Sequence, residues 1–180
     1  ELRCTLGRET AIQKVRWTED GWLRMTDGSN LAKLEVEEPS LPDMPMPQIP
    51  AFDDFDHPTI GNWYYAPRQM PATFANTSER PGWLRVRGEE SLASLNRTSL
   101  IARKLTSVYV TVTTKMEFTP EVYQHNAGLT IYYDNMNNAF LRKYYSETLG
   151  GPALSIVRLE NGAKTEMLDT RVAVDDRPIY

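Results

Sequence analysis

The 180-residue sequence predicts an all-β protein, most of it an antiparallel β-sandwich. Three observations carry that expectation. Apolar residues recur at every second position in several short runs, turn residues separate those runs at roughly ten-residue spacing, and no segment sustains a helical period. A further feature divides the chain. Five of its twelve prolines fall between Pro39 and Pro50. Closely spaced prolines hold φ, remove backbone donors and push each preceding residue toward extended conformations, so residues 39–50 read as a semi-rigid strap between a short and a long part.

In the short part, Ala11, Trp17, Trp22 and Leu23 surround Thr18-Glu19-Asp20-Gly21, where Asp-Gly marks a tight turn between two short strands. A lone hairpin is marginal in water, so these strands are expected to complete a sheet whose other members lie outside this sequence.

In the long part, Trp83-Leu84-Arg85-Val86-Arg87 alternates after a Pro81-Gly82 turn signal. The clearest strand pattern is at 108–118. Val108, Val110, Val112, Met116 and Phe118 share one face there, and Thr111, Thr113, Lys115 and Glu117 the other. Aromatic and β-branched runs at 127–133 and 139–145 flank Asp134-Asn135-Met136-Asn137-Asn138, which predicts a hairpin. A second hairpin is predicted at 154–159 and 165–172, joined through Glu160-Asn161-Gly162-Ala163. A new apolar run begins after Asp175-Asp176-Arg177-Pro178, so the expectation is a sandwich with sequence missing at both ends.

Composition narrows the function. Residues 1–38 carry 6 basic and 8 acidic side chains, and residues 39–180 carry 14 and 16, so each part is near −2. Such a balance offers no basic face to a phosphate backbone and argues against nucleic-acid binding. No apolar run approaches the roughly 20 residues that span a bilayer as a helix, so no membrane partner is expected. Cys4 is the only cysteine, which excludes an intrachain disulfide and a thiolate metal cluster. The triplets Asn76-Thr77-Ser78 and Asn96-Arg97-Thr98 match a glycosylation sequon, which matters only in a secreted eukaryotic product.

Leu6-Gly7-Arg8-Glu9-Thr10-Ala11-Ile12-Gln13, followed by residues 17–23, resembles the last blade of the five-bladed catalytic propeller of glycoside hydrolase family 43. The nearest likeness is to its two-domain β-xylosidases and α-L-arabinofuranosidases. Asp53-Asp54-Phe55-Asp56, Asn62-Trp63 and Glu79-Arg80-Pro81-Gly82-Trp83-Leu84-Arg85 follow in order and resemble the entry into that family's C-terminal concanavalin-like sandwich. Ser99-Leu100-Ile101-Ala102-Arg103 and Asn126-Ala127-Gly128-Leu129 continue the likeness, which covers nearly the whole chain.

The resemblance implies three parts: residues 1–38 as an incomplete closing segment of the propeller, 39–50 as the strap, and 51–180 as the accessory sandwich. It implies an inverting exo-glycosidase that removes terminal xylose or arabinofuranose from xylo-oligosaccharides. Inversion uses two carboxyls roughly 6.5–9.5 Å apart, one held protonated near neutrality. By the resemblance those acids lie upstream of Leu6. No catalytic residue, metal ligand or cofactor is therefore assigned within this chain, and alone it is expected to be inactive. The expected partners are a xylo-oligosaccharide or arabinofuranoside substrate and the missing propeller blades. Two other readings stay open: a lectin-like carbohydrate-binding module, and a structural or homo-oligomerising domain.

Arg8 is the one substrate-binding residue that the resemblance carries over, as the arginine that reaches the pocket floor. A guanidinium is always charged and offers a rigid fork of donors to hydroxyls or carboxylates. The plainer alternative is that Arg8 pairs with Glu9 or a neighbouring blade. Asp53, Asp54 and Asp56 are the right chemistry for a hard cation, but they lack the glycine and terminal Glu of a calcium loop and read as a solvated turn. His57 and His125 have no paired ligand spacing. Ser91, Ser94 and Ser99 sit in no nucleophile elbow. In Trp63-Tyr64-Tyr65, Tyr132-Tyr133 and Tyr144-Tyr145, neighbours in a strand face opposite ways, so one of each pair is expected in the core.

Overall fold

The protein is described as a computed structural model covering residues 10–180. The chain separates into two compact units. One holds the described residues up to Ala51 together with Leu105–Val108, and the other holds Phe52–Lys104 and Tyr109–Tyr180.

In the first unit, β1 (Val15–Trp17) pairs antiparallel with β2 (Leu23–Met25), the hairpin expected around Asp20-Gly21. Gly21 takes φ +77°, a conformation that favours glycine, and its N–H donates to Thr18 O at 2.9 Å. Register opposes Val15 to Met25 and Trp17 to Leu23 on one face, and Arg16 to Arg24 on the other. The apolar face is largely exposed. Gln13 lies just before β1 and mimics a strand pair with its amide. Its Nε2 donates to Lys33 O at 2.9 Å, and its Oε1 accepts from Lys33 N–H at 3.1 Å. Every residue of 39–50 is exposed and none forms regular structure, as the prolines require.

The second unit is built on a four-stranded antiparallel meander: β5 (Asn126–Asp134), β6 (Asn137–Ser146), β7 (Gly151–Glu160) and β8 (Ala163–Ala173). A one-turn 3₁₀ segment at Pro71–Thr73 and a short pair, β3 (Ala75–Asn76) with β4 (Arg85–Val86), precede it. Both predicted hairpins form. The β5–β6 turn is tighter than expected, because Asp134 accepts from Met136 N–H at 2.8 Å and from Asn137 Nδ2 at 3.0 Å, leaving only Asn135 and Met136 outside the strands. At the β7–β8 turn Asn161 and Gly162 take φ +51° and +81°, the pair of positive values that a two-residue turn matched to strand twist demands.

Residues 108–118 depart from expectation. They form no strand. Met116 makes one isolated antiparallel bridge to Ile179, while Val108, Val110 and Val112 stay exposed. Alternation identifies a face, but a ladder also needs a partner edge with matching donors and acceptors, and among the described residues only Ile179 supplies one. The run at 83–87 likewise pairs only at Arg85 and Val86, against Asn76 and Ala75.

Among the described residues the buried apolar side chains are Phe74, Ala75, Leu100, Tyr144, Ala153 and Val157, all in this unit. One face of the meander contributes the last three, together with Arg142 and Ser155. On the opposite face Leu129, Leu141, Ile156 and Met167 align across all four strands. Leu141 is exposed there, as are Ile131 and Val172 beside that row. Lys143, on the same face, is wholly buried, and its ammonium has no hydrogen-bond partner among the described residues.

Candidate functional site

Arg8, the one substrate-binding residue expected from the sequence, and Glu9, its alternative partner, lie outside the described residues. The described candidates belong to the second unit.

Asp53 and Asp54 begin it with successive side-chain turns. Asp53 Oδ1 accepts from Phe55 N–H at 2.9 Å and Asp54 Oδ1 from Asp56 N–H at 3.3 Å, the solvated-turn arrangement that the sequence favoured. Phe55 is held at φ +57°, uncommon for a bulky residue, while its carbonyl accepts from Gly82 N–H at 3.2 Å. A cavity of about 380 Å³ opens beside this turn, lined by Asp53, Phe55, His57, Asn62, Trp63 and Thr77. Burial, helped by the charge of Asp53, pushes the Tyr64 hydroxyl up from its ordinary range. His57 is exposed, and its carbonyl, not its ring, is engaged, accepting from Thr77 Oγ1 at 2.7 Å. His125 is exposed too, its Nδ1 accepting from Glu121 N–H at 3.4 Å.

The Glu79–Arg85 motif closes on itself. Arg80 stacks over Trp83 at 4.1 Å and pairs with Glu117, with Nη2 to Oε1 at 3.2 Å. Arg85 meets Glu79 at 2.8 Å, and Gly82 supplies the φ +80° corner. Arg80–Trp83 and Glu79–Arg85 are contacts within the motif, and the Arg80–Glu117 pair ties it to the 108–118 run.

A polar centre that the sequence reading did not single out lies on β6. The buried Arg142 donates from Nε to Ser155 Oγ at 3.2 Å, from Nη1 to Asn126 Oδ1 at 3.0 Å and from Nη2 to Glu166 Oε2 at 3.0 Å. Its guanidinium also stacks on the Tyr144 ring at 4.1 Å. The partners come from β5, β7 and β8, so one side chain ties all four strands. Hydrogen bonding from Lys164 and the charge of Arg142 hold Glu166 below the usual carboxylate range. The signal was present in part: Arg142 and Tyr144 share a face at i and i+2, but register, which sequence leaves open, decides that Ser155 and Gly128 stand opposite Arg142.

Of the aromatic runs only Tyr144-Tyr145 places one ring in the core; Trp63 and Tyr64 lie outside any strand, both half-buried with ring centroids 6.2 Å apart, and Tyr65 is exposed. Tyr144 is buried and Tyr145 half-buried, and Tyr132 is half-buried while Tyr133 is 77% exposed. Ser99 Oγ donates to Arg87 O at 2.6 Å, and Ser94 Oγ is taken up by Glu90. Neither serine meets a histidine base.

A general acid must stay protonated near neutrality. Here the displaced carboxylates move the opposite way. Arg97 lowers Glu89, the Asn137 side chain lowers Asp134, and Arg177 lowers Asp175, as Lys164 does Glu166. None of these four suits that role.

Comparison with known proteins gives the context. Residues 52–180 match the family model described as the β-xylosidase C-terminal concanavalin A-like domain. A xylan 1,3-β-xylosidase of Vibrio sp. is 35% identical over 175 residues, covering 97% of this chain and 32% of its own length. A β-xylosidase of Bacillus subtilis (strain 168) is 33% identical over 174 residues, covering 95% and 32%. The crystal structure of a xylan β-1,4-xylosidase from Bacillus halodurans C-125 superimposes with a TM-score of 0.78 at 42% identity, over 96% of this chain and 33% of that one. The chain thus spans about a third of the length of the curated relatives it matches. From its first acidic turn through the β5–β8 meander, the chain belongs to the family of β-xylosidase C-terminal concanavalin A-like domains of glycoside hydrolase family 43.

Proposed function

We propose that this chain is part of an inverting exo-glycosidase that releases terminal xylose, or arabinofuranose, from xylo-oligosaccharides. One observation carries the reading. The similarity to the Vibrio enzyme runs through 175 residues, across both units and the proline strap, not through the sandwich alone. In this reading residues 1–38 close the catalytic propeller, 39–50 are the strap and 51–180 the accessory sandwich. Arg8 holds the terminal sugar or a catalytic carboxylate through its guanidinium fork. The exposed apolar face of the first hairpin, with Trp17 and Leu23, and the exposed Leu41, Met44, Met46 and Ile49 of the strap support it, since such surface suits contact with the rest of an enzyme.

The test is made on the intact parent protein. NMR of the first sugar released from an aryl β-xyloside reports whether the anomer is inverted. Arg8→Ala should lower kcat/KM by about 10²-fold or more, in keeping with the loss of a charged contact to the sugar or to a catalytic acid. Retention of configuration removes the inverting reading, and undiminished kcat/KM removes the role of Arg8. A homo-oligomer of the intact enzyme is a second reading, favoured by the open apolar face that carries Ile131, Leu141 and Val172. Light scattering of the parent decides it.

A further inference from the structure

The cavity beside the Asp53 turn lies wholly within the second unit, and both of its aromatic walls are set by the backbone. Phe55 is turned by a φ of +57°, a conformation that costs a bulky residue energy and that recurs where ligands are held. Trp63 lies on Gly61 so closely that a Cβ there would stand 2.4 Å from the indole ring. The indole Nε1–H is buried and has no acceptor among the described residues, so packing on the glycine, and not a hydrogen bond, fixes the ring. The polar side chains of the wall are unengaged. The His57 imidazole, the Thr59 hydroxyl and the Asn62 amide make no hydrogen bond to other described residues. Each of the three can both donate and accept.

The make-up of the wall selects the ligand. Among the described residues it holds no lysine or arginine, so it does not suit an anion. Asp53 is its one carboxylate, whereas a hard cation takes roughly 6–8 oxygens. A neutral sugar ring matches both surfaces, with C–H faces for the aromatic walls and edge hydroxyls that donate and accept. The volume of about 380 Å³ falls within the roughly 300–1,000 Å³ of small-molecule sites. We propose that this cavity binds a neutral saccharide, with Trp63 and Phe55 against the ring and Asn62, Thr59 and His57 on its hydroxyls. The choice of a xylo-oligosaccharide as its source rests on the glycosidase reading; the chemistry of the cavity does not.

The test is a titration of the intact parent protein, labelled with fluorinated tryptophan and followed by fluorine NMR. Trp63→Phe assigns the Trp63 resonance, and the probe is a thio-linked xylotetraose, which resists glycosidase cleavage. The Trp63 signal should move and saturate with a Kd in the millimolar range. Asn62→Ala, at an exposed position, should weaken that Kd about fivefold, as the loss of one hydrogen bond does. Gly61→Ala, which must displace the indole, should weaken it further. An unmoved Trp63 signal overturns the proposal, as does a Kd that Asn62→Ala leaves unchanged. A shift that tetramethylammonium saturates and the saccharide does not assigns the cavity to an amine, and overturns it too. The resonance reports on this site whether or not the parent cleaves xylosides. Activity without a shift therefore sinks this proposal alone, and a shift without activity sinks the glycosidase reading alone.

Discussion

Gly128 lies so close to Leu141 that a Cβ built on it would stand 1.9 Å from the Leu141 carbonyl oxygen. The glycine is there because two backbones meet, β5 against β6. Gly128→Ala must push those strands apart at the centre of the sheet, beside Arg142. The expected loss is about 3 kcal/mol, the upper part of the overpacking range, read as a fall in the urea midpoint at unchanged m-value. A midpoint within error of the native chain would show that the ladder can slip to make room.

Removing Arg142 strands several groups at once. Arg142→Ala leaves Asn126, Ser155 and Glu166 without their shared donor, and the expected destabilisation is about 3 kcal/mol. Arg142→Lys keeps the charge but has neither the fork nor the flat face that rests on Tyr144, so it should recover less than half of that loss. Full recovery by lysine would reduce the role of Arg142 to its charge alone.

Acid should weaken the same network. Glu166 is held below the usual carboxylate range when folded, so in acid the unfolded chain binds more protons than the folded one. Its contribution is complete above about pH 4.3, where an unfolded glutamate ionises, and is lost as pH falls through the lower folded value. Urea midpoints measured from pH 7 down to pH 3 should decline, and Glu166→Gln should flatten part of that decline. An unchanged slope in the variant would assign the acid sensitivity to other carboxylates, such as Glu89, which Arg97 also lowers.

Lys143 presents the reverse case, a buried ammonium with no acceptor among the described residues. Lys143→Met keeps most of the volume and removes the unsatisfied charge. It should stabilise this chain by about 1–3 kcal/mol in thermal or urea unfolding. Destabilisation would mean that the ammonium is satisfied in solution, with the nearby Asp175 carboxylate as the first candidate.

How much of this was legible beforehand follows from the range of the physics involved. The turns at Asp20-Gly21 and Asn161-Gly162 declare themselves locally, because a positive φ is a property of one or two residues. The hairpins β5–β6 and β7–β8 were legible in the same way, but the β6–β7 pairing that joins them into one meander was not. The family likeness was legible as well, carried by motifs in fixed order from Asp53 to Leu129. Residues 108–118 misled because alternation reports a face and says nothing of a partner. The Arg142 network escaped notice for a related reason. Its partners stand 13, 16 and 24 residues away, and only a completed sheet brings them together.

The β7–β8 corner carries a consequence of another kind. An asparagine followed by glycine ages when the glycine amide nitrogen attacks the asparagine side-chain carbonyl and closes a succinimide. At this corner the Gly162 nitrogen is occupied, its N–H bound to Met136 O at 3.0 Å, and Asn161 is curled into a left-handed conformation by the hairpin. The geometry that turns the chain thereby withholds the attacking atom. Deamidation at Asn161 becomes a clock that runs when the hairpin opens, so accumulated isoaspartate would record how long each molecule has spent unfolded there.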